Sequence, residues 1–199
     1  GALSGGRLKR QRPYRDPHHS SSMAAMVGGG RRAQPGEISL AHQGVLFLDE
    51  LPEFPRQVLE ALRQPLETGQ VSVARAQAHV TYPAQFQMIA AMNPCRCGYL
   101  TDETRACNKA PKCAKEYQGK LSGPLLDRID IHIDVPEVPP SEIFNAPPGE
   151  SSAAVGARVT AARELQIRRY SGLGLPIRQN ARLSGDHLYQ QTQLERSGK

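Results

Sequence analysis

No stretch of this sequence approaches the roughly 18 consecutive apolar residues that a helix needs to cross a bilayer, and the N-terminal segment has no apolar signal core. Those two absences exclude a helical membrane anchor in this stretch and point to a cytoplasmic protein. A phosphate-binding loop of the form G-x-x-x-x-G-K-[ST] is also missing from every window. The nearest approach, Gly198-Lys199, lacks the earlier glycine, because position 193 is Gln193, and lacks the following hydroxyl. Gly28-Gly29-Gly30 does not supply the loop either. The chain opens on Gly1-Ala2-Leu3 without Met and ends on Arg196-Ser197-Gly198-Lys199 without a closing element, so a fragment of a longer polypeptide is expected.

What is present suits a soluble, loop-rich α/β domain, or one domain with the start of another. Hydrophobic residues make up 39% and charged residues 22%, while 18 Gly and 16 Pro call for long irregular connections. The net charge of +6 is a modest bias toward anionic partners. Its distribution says more, since Arg7, Lys9, Arg10, Arg12 and Arg15 crowd together and Arg31 and Arg32 follow the triple glycine. Either a solvated basic arm or contact with phosphates would use them.

The segment Gly44-Val45-Leu46-Phe47-Leu48-Asp49-Glu50 organises the rest. Four apolar residues between glycine and acid are too few for a helix and suit a strand buried on both faces of a parallel sheet. Its two carboxylates then stand at the carboxyl edge, where open α/β sheets bind ligands. Asp49 can hold a magnesium ion and Glu50 can polarise an attacking water, the arrangement of a Walker B element. A plain strand-to-turn exit is the alternative.

Upstream, Pro13 to His19 carries a His18-His19 pair. Neighbours on an extended chain point to opposite sides, which favours polar contacts over a shared metal. A short serine-capped helix is expected over 20–26, ended by the glycines. Glu37 to His42 reads as a short amphipathic segment. Pro55 is placed to open a helix carrying Val58, Leu59, Leu62 and Leu66 on a core face, which Pro65 ends or kinks near Gln64. Residues 69–82 switch to alternation and predict a hairpin with Arg75 at its tip, suited to touching nucleic acid or simply exposed. Phe86 to Met92 predicts a second buried strand, ending at Asn93-Pro94. An amide there can position water or touch a terminal phosphate, or merely build a turn.

All four cysteines fall within nineteen residues, at Cys95, Cys97, Cys107 and Cys113. Clustered thiols with a glycine after the first pair suit a structural Zn²⁺ site, with free thiols or a disulfide as alternatives. Leu121 to Asp130 leads into a third short strand at Ile131, Ile133 and Val135. Within it, Arg128 is a candidate arginine finger, or one member of a salt-bridge cluster with the neighbouring aspartates. A Pro-rich linker over 137–150 precedes a long helix capped by Ser151 or Ser152, with Val155, Val159, Ala162 and Leu165 as its apolar stripe. A further helix can open near 183–188.

Together these stretches resemble the magnesium-chelatase-like branch of the AAA+ ATPases, specifically the YifB/ComM family. The carrying segments are 12–19, 27–30, 35–42, 44–66, 90–95 and 122–135. The resemblance implies an α/β fold: a partial P-loop-type parallel sheet flanked by helices, with a hairpin insert and a Cys-rich loop. It divides the chain into a basic N-terminal segment (1–36), the AAA+ core (37–136), the linker (137–150) and a helix beginning the lid (151–199).

It further implies ATP and Mg²⁺ as cofactors and a homohexameric ring. Asp49 and Glu50 become Walker B, Asn93 sensor 1 and Arg128 a finger acting in trans. Arg75, Arg31 and Arg32 are candidate nucleic-acid contacts. Members of this family are described as ATP-driven DNA helicases promoting branch migration during natural transformation. Zinc at Cys95, Cys97, Cys107 and Cys113 would be an accessory feature. In the family the phosphate loop and an N-terminal domain precede this region, leaving a gap in the sheet and little ATP turnover by the chain alone. A motor subunit for porphyrin metallation and a non-catalytic, zinc-braced nucleic-acid-binding module are the competing functions.

Overall fold

The structure is a computed structural model that describes residues 11–30, 33–75, 78–100, 107–136, 138 and 147–191. It divides into two compact units, 1–134 and 135–199.

The first unit is α/β. Three parallel strands, β1 (Tyr14–Arg15), β4 (Val45–Leu48) and β7 (Gln87–Ala90), form a sheet in the order β1-β4-β7. Between β1 and β4 come α1 (Met23–Val27), a two-residue antiparallel pair of β2 (Gly28–Gly29) with β3 (Gln34–Pro35), and α2 (Glu37–Leu40). The Ser22 hydroxyl caps α1 by accepting the Ala25 N–H at 3.2 Å, as the serine run predicts. Arg15 grips Glu37 through two donors, at 2.5 and 2.6 Å, and ties β1 to α2. That bond, outweighing partial burial, raises the Arg15 pKa above its ordinary value.

Gly44 is required by a close approach. A Cβ there would sit 1.9 Å from the Pro13 carbonyl oxygen, which accepts the N–H of the next residue, Val45, at 2.9 Å.

After β4 a 3₁₀ turn (Leu51–Glu53) leads into α3 (Arg56–Ala61) and α4 (Arg63–Thr68). The two helices part at Leu62, three residues before Pro65, which has no N–H for the Ala61 carbonyl and crowds it. Val58, Leu59 and Leu62 are buried beneath Leu46 and Leu48 in one core that also takes Met26, Ile38, Val71 and Val73. Burying each such side chain contributes roughly 1.5–3 kcal/mol. The predicted hairpin is present as β5 (Gln70–Arg75) and β6 (Ala78–Pro83), with Val71 and Val73 on its buried face. Tyr82 donates its hydroxyl to the Ala33 carbonyl at 2.7 Å, docking the hairpin on the glycine-rich segment.

Four expectations about apolar segments need correction, three of them before residue 136. In β4, Leu46 and Leu48 are fully buried, but Val45 and Phe47 on the other face are only half-buried, with Tyr14 stacked on Phe47. In β7, Gln87, Ile89 and Ala90 are exposed, because among the described residues this strand is an edge with a partner on one side only. Residues 131–135 form no strand. Ile131 and Ile133 are 75% and 78% exposed, an alternating pattern with no strand paired to it among the described residues.

The first unit continues with α5 (Lys112–Gln118) and α6 (Gly123–Leu126). In the second unit, α7 (Ser152–Gly172) is capped by Ser151, whose hydroxyl accepts the Ala154 N–H at 3.3 Å. The expected apolar stripe of α7 is exposed at Val155, Val159, Ala162 and Leu165. Its buried residue is instead Tyr170, whose hydroxyl donates to Asn180 at 2.8 Å. The short α8 (Asp186–Gln191) follows.

Candidate functional site

β4 and β7 run parallel with Leu48 opposite Ala90, so both chains leave the sheet at one edge. Asp49 and Glu50 follow the first, and Asn93 follows the second. Their exits are pinned together: the Ala91 N–H donates to the Leu48 carbonyl and the Leu51 N–H to the Ala91 carbonyl, each at 3.0 Å. The sheet thus brings the predicted acid pair and the predicted asparagine to one place.

The turn itself is strained. Glu50 has φ 52° and ψ 46°, the left-handed region that non-glycine residues seldom occupy. Holding it there costs roughly 1–3 kcal/mol, offset by the surrounding structure. Asp49 Oδ1 accepts the Glu50 N–H at 2.9 Å, and Leu51 and Pro52 anchor the following turn in the core. Both carboxylates are exposed.

Beside them is an open cleft of about 280 Å³, walled by Tyr14, Asp16, His18, His19 and Phe47. His19 Nδ1 lies 2.9 Å from Glu50 Oε2. Its ring packs 4.1 Å from His18 and edge-on to Phe54 at 6.4 Å, measured between centroids. His18 turns instead to Ser20, with Nδ1 2.7 Å from the hydroxyl. The two imidazoles thus bond separate partners but pack on each other, instead of pointing to opposite sides as expected on an extended chain, because the chain turns at His19.

A second layer approaches from α5. Tyr117 is buried, and its phenol oxygen faces the backbone N–H of Asn93. Burial, then the charges of Glu53 and Glu50, push the Tyr117 pKa up against the lowering effect of that N–H. Gln118 Nε2 donates to the Pro94 carbonyl at 2.9 Å, and Lys120 Nζ meets Glu53 Oε1 at 3.1 Å.

The four cysteines converge next to this layer. The Sγ atoms of Cys95, Cys97, Cys107 and Cys113 all lie within 4.8 Å of one another. Cys95 and Cys97 are 3.1 Å apart, in contact but not bonded. Gly98 makes the knuckle, with φ 82° and its N–H on the Cys95 carbonyl at 3.0 Å. Burial raises the Cys95 thiol, but hydrogen bonds from Cys97, Gly98 and Cys113 outweigh it and leave its pKa below the ordinary value. Cys97 is pushed up to about 12, first by sharing its hydrogen bond with Cys95.

Arg128 is not brought to the acid pair. Its Nη2 meets Glu67 at 2.8 Å and its Nη1 donates to the Pro124 carbonyl at 3.3 Å. Arg75 ends β5, opposite Ala78, and its side chain lies outside the described residues, as do Arg31 and Arg32 altogether. Sequence reasoning missed two residues at the site. His19 was visible only as half of a conspicuous pair, and Tyr117 carries no local signal at all.

A family model described as magnesium chelatase, subunit ChlI, matches residues 2–143. The protein YifB of Escherichia coli (strain K12) is 50% identical over 187 residues, which cover 94% of this chain and 35% of YifB. Competence protein ComM of Haemophilus influenzae is 52% identical over 161 residues, covering 80% of this chain and 31% of ComM. The chain therefore spans about a third of the length of these curated relatives. Among solved structures, NtrX from Brucella abortus in complex with ADP aligns with a TM-score of 0.41 at 17% identity, over 60% of this chain and 24% of that one.

Proposed function

We propose that this chain, which belongs to the magnesium chelatase subunit ChlI family and to its YifB/ComM-like branch, is the water-activating part of an ATP-driven motor acting on DNA. The observation that carries this reading is the common edge of β4 and β7, from which the segments carrying Asp49-Glu50 and Asn93 leave the sheet together. Exposed carboxylates at the carboxyl edge of a parallel sheet fit a magnesium ion that keeps most of its water and takes phosphate oxygens. When bound with ATP, that ion would supply charge neutralisation on the phosphates.

The chain's own residues divide the remaining work. Asp49 would hold the ion, and Glu50 would orient a water and accept its proton. The strained backbone of Glu50 and the His19 contact keep the carboxylate from swinging away. Asn93 would fix the water or the terminal phosphate from the neighbouring strand. Arg128, held on Glu67 in its own subunit, is a candidate to reach a neighbour's site in a ring, with a homohexamer as the expected assembly. A zinc ion at the four cysteines completes the proposed cofactors.

Exposed apolar groups at the free edge of β7 and at Ile131 and Ile133 favour completion of the sheet by a strand from elsewhere in the longer protein. DNA is proposed as the partner on the strength of the basic clusters at 7–15 and 31–32, and of competence protein ComM among the relatives.

The test is ATP hydrolysis by the full-length protein with and without branched DNA, comparing Glu50 with Glu50→Gln. DNA-stimulated turnover that the substitution abolishes is expected. Turnover indifferent to DNA would overturn the nucleic-acid motor, and turnover indifferent to Glu50→Gln would overturn the assignment of the base.

A further inference from the structure

We propose that a zinc ion bound by Cys95, Cys97, Cys107 and Cys113 acts as a brace on the catalytic edge: it locks α5 against the sheet so that Gln118 holds the Pro94 carbonyl and, with it, the preceding Asn93. The inference rests on the reading of Asn93 as part of the water-activating site.

The geometry fits the metal. Zinc bound tetrahedrally to four thiolates at about 2.3 Å sets its sulfurs about 3.8 Å apart. Here all four Sγ atoms lie within 4.8 Å of one another, with one pair at 3.1 Å, so small side-chain adjustments would bring them to that spacing. Cys95 is fully buried, the setting of a structural rather than a reactive cysteine. Four protein thiolates leave no position for water, which excludes chemistry at the ion and leaves a mechanical role.

The ligands themselves indicate what is braced. Cys95 is two residues beyond Asn93, on the strand exit from β7. Cys113 lies in the first turn of α5, one turn before Tyr117. One ion therefore joins the asparagine's own segment to the helix that touches it. From α5 and its end come two contacts to the site: Gln118 to the Pro94 carbonyl and Lys120 to Glu53. Helix α5 has only seven residues, too short to hold its shape without such anchoring. Without the ion, the thiols can separate and the two contacts lose their common support.

The experiment uses the full-length protein expressed in zinc-supplemented medium. One zinc per chain with four sulfur neighbours in X-ray absorption is expected. Removing it with a chelator should speed amide hydrogen exchange at Asn93, Cys95 and α5 while β4 stays protected. Gln118→Ala, which spares the ligands, should keep the zinc and lower kcat roughly three- to tenfold, the loss of one hydrogen bond, with KM for ATP unchanged.

Absence of zinc, or a coordination sphere without the sulfurs, would overturn the site. Exchange at Asn93 and Cys95 that ignores the chelator, or a Gln118→Ala protein with full kcat alongside an inactive Glu50→Gln, would overturn the brace while leaving the ATPase reading intact. If the parent protein hydrolyses no ATP, the functional reading fails, and zinc content with hydrogen exchange still decides the brace.

Discussion

His19 Nδ1 and Glu50 Oε2 are 2.9 Å apart, although thirty-one positions separate them in the chain. The contact joins the loop after β1 to the exit of β4, across the cleft in which the acid pair stands. Glu50 is thereby restrained twice, by its left-handed backbone and by an imidazole at its carboxylate.

His19→Ala should therefore lower kcat for ATP hydrolysis by roughly three- to tenfold without changing KM, since it frees the carboxylate without touching the nucleotide. His19→Gln, which keeps a donor, should restore part of the loss. Steady-state kinetics of the full-length variants tests this, and a His19→Ala protein with the parental kcat would show the contact to be incidental.

Arg128 presents the opposite case, a side chain engaged within its own subunit. Its pair with Glu67 is partly exposed, so Glu67→Gln should change stability by no more than about 1 kcal/mol in urea unfolding. Arg128→Ala should nonetheless abolish turnover. If Arg128 acts in trans, mixing Arg128→Ala subunits with Glu50→Gln subunits should recover activity that neither has alone. No recovery in verified mixed rings would rule out the trans role.

Stability should fall in mild acid through His42. Its Nδ1 accepts the Gln85 N–H at 3.0 Å, and burial lowers its pKa below the ordinary 6.5. The unfolded chain then takes up a proton before the folded one does. The stabilisation is complete above the unfolded value and is lost as pH falls through the folded value. Urea midpoints between about pH 8 and about pH 5 should drop more for the parent than for His42→Gln. Parallel curves would remove His42 from the account.

Core packing sets a further expectation. Leu59 is 1% exposed, in the same core as Leu46, Leu48, Val71 and Val73, so Leu59→Ala should cost about 2–5 kcal/mol. Equilibrium unfolding measures it, and a loss under about 1 kcal/mol would mean that α3 is not packed as described.

The local features were legible because their causes are local. Serine before α1 and proline before α3 act through a few neighbouring backbone groups, and the alternation of Val71 and Val73 marks one face of a hairpin. Asp49, Glu50 and Asn93 could be named from sequence because each ends an apolar strand. Where the reading went wrong, at β7, at Ile131 to Val135 and along α7, it took apolar residues as evidence of burial. Burial depends on a partner surface that periodicity does not supply.

By itself, then, the sequence determined the elements and the chemistry available at strand ends, because backbone sterics and side-chain periodicity act over a few residues. Only the tertiary structure decided which side chains share that edge. His19 reached Glu50, Gln118 reached Pro94, and Arg128 turned to Glu67, since chain crossings and packing, not spacing along the chain, set distances between remote residues.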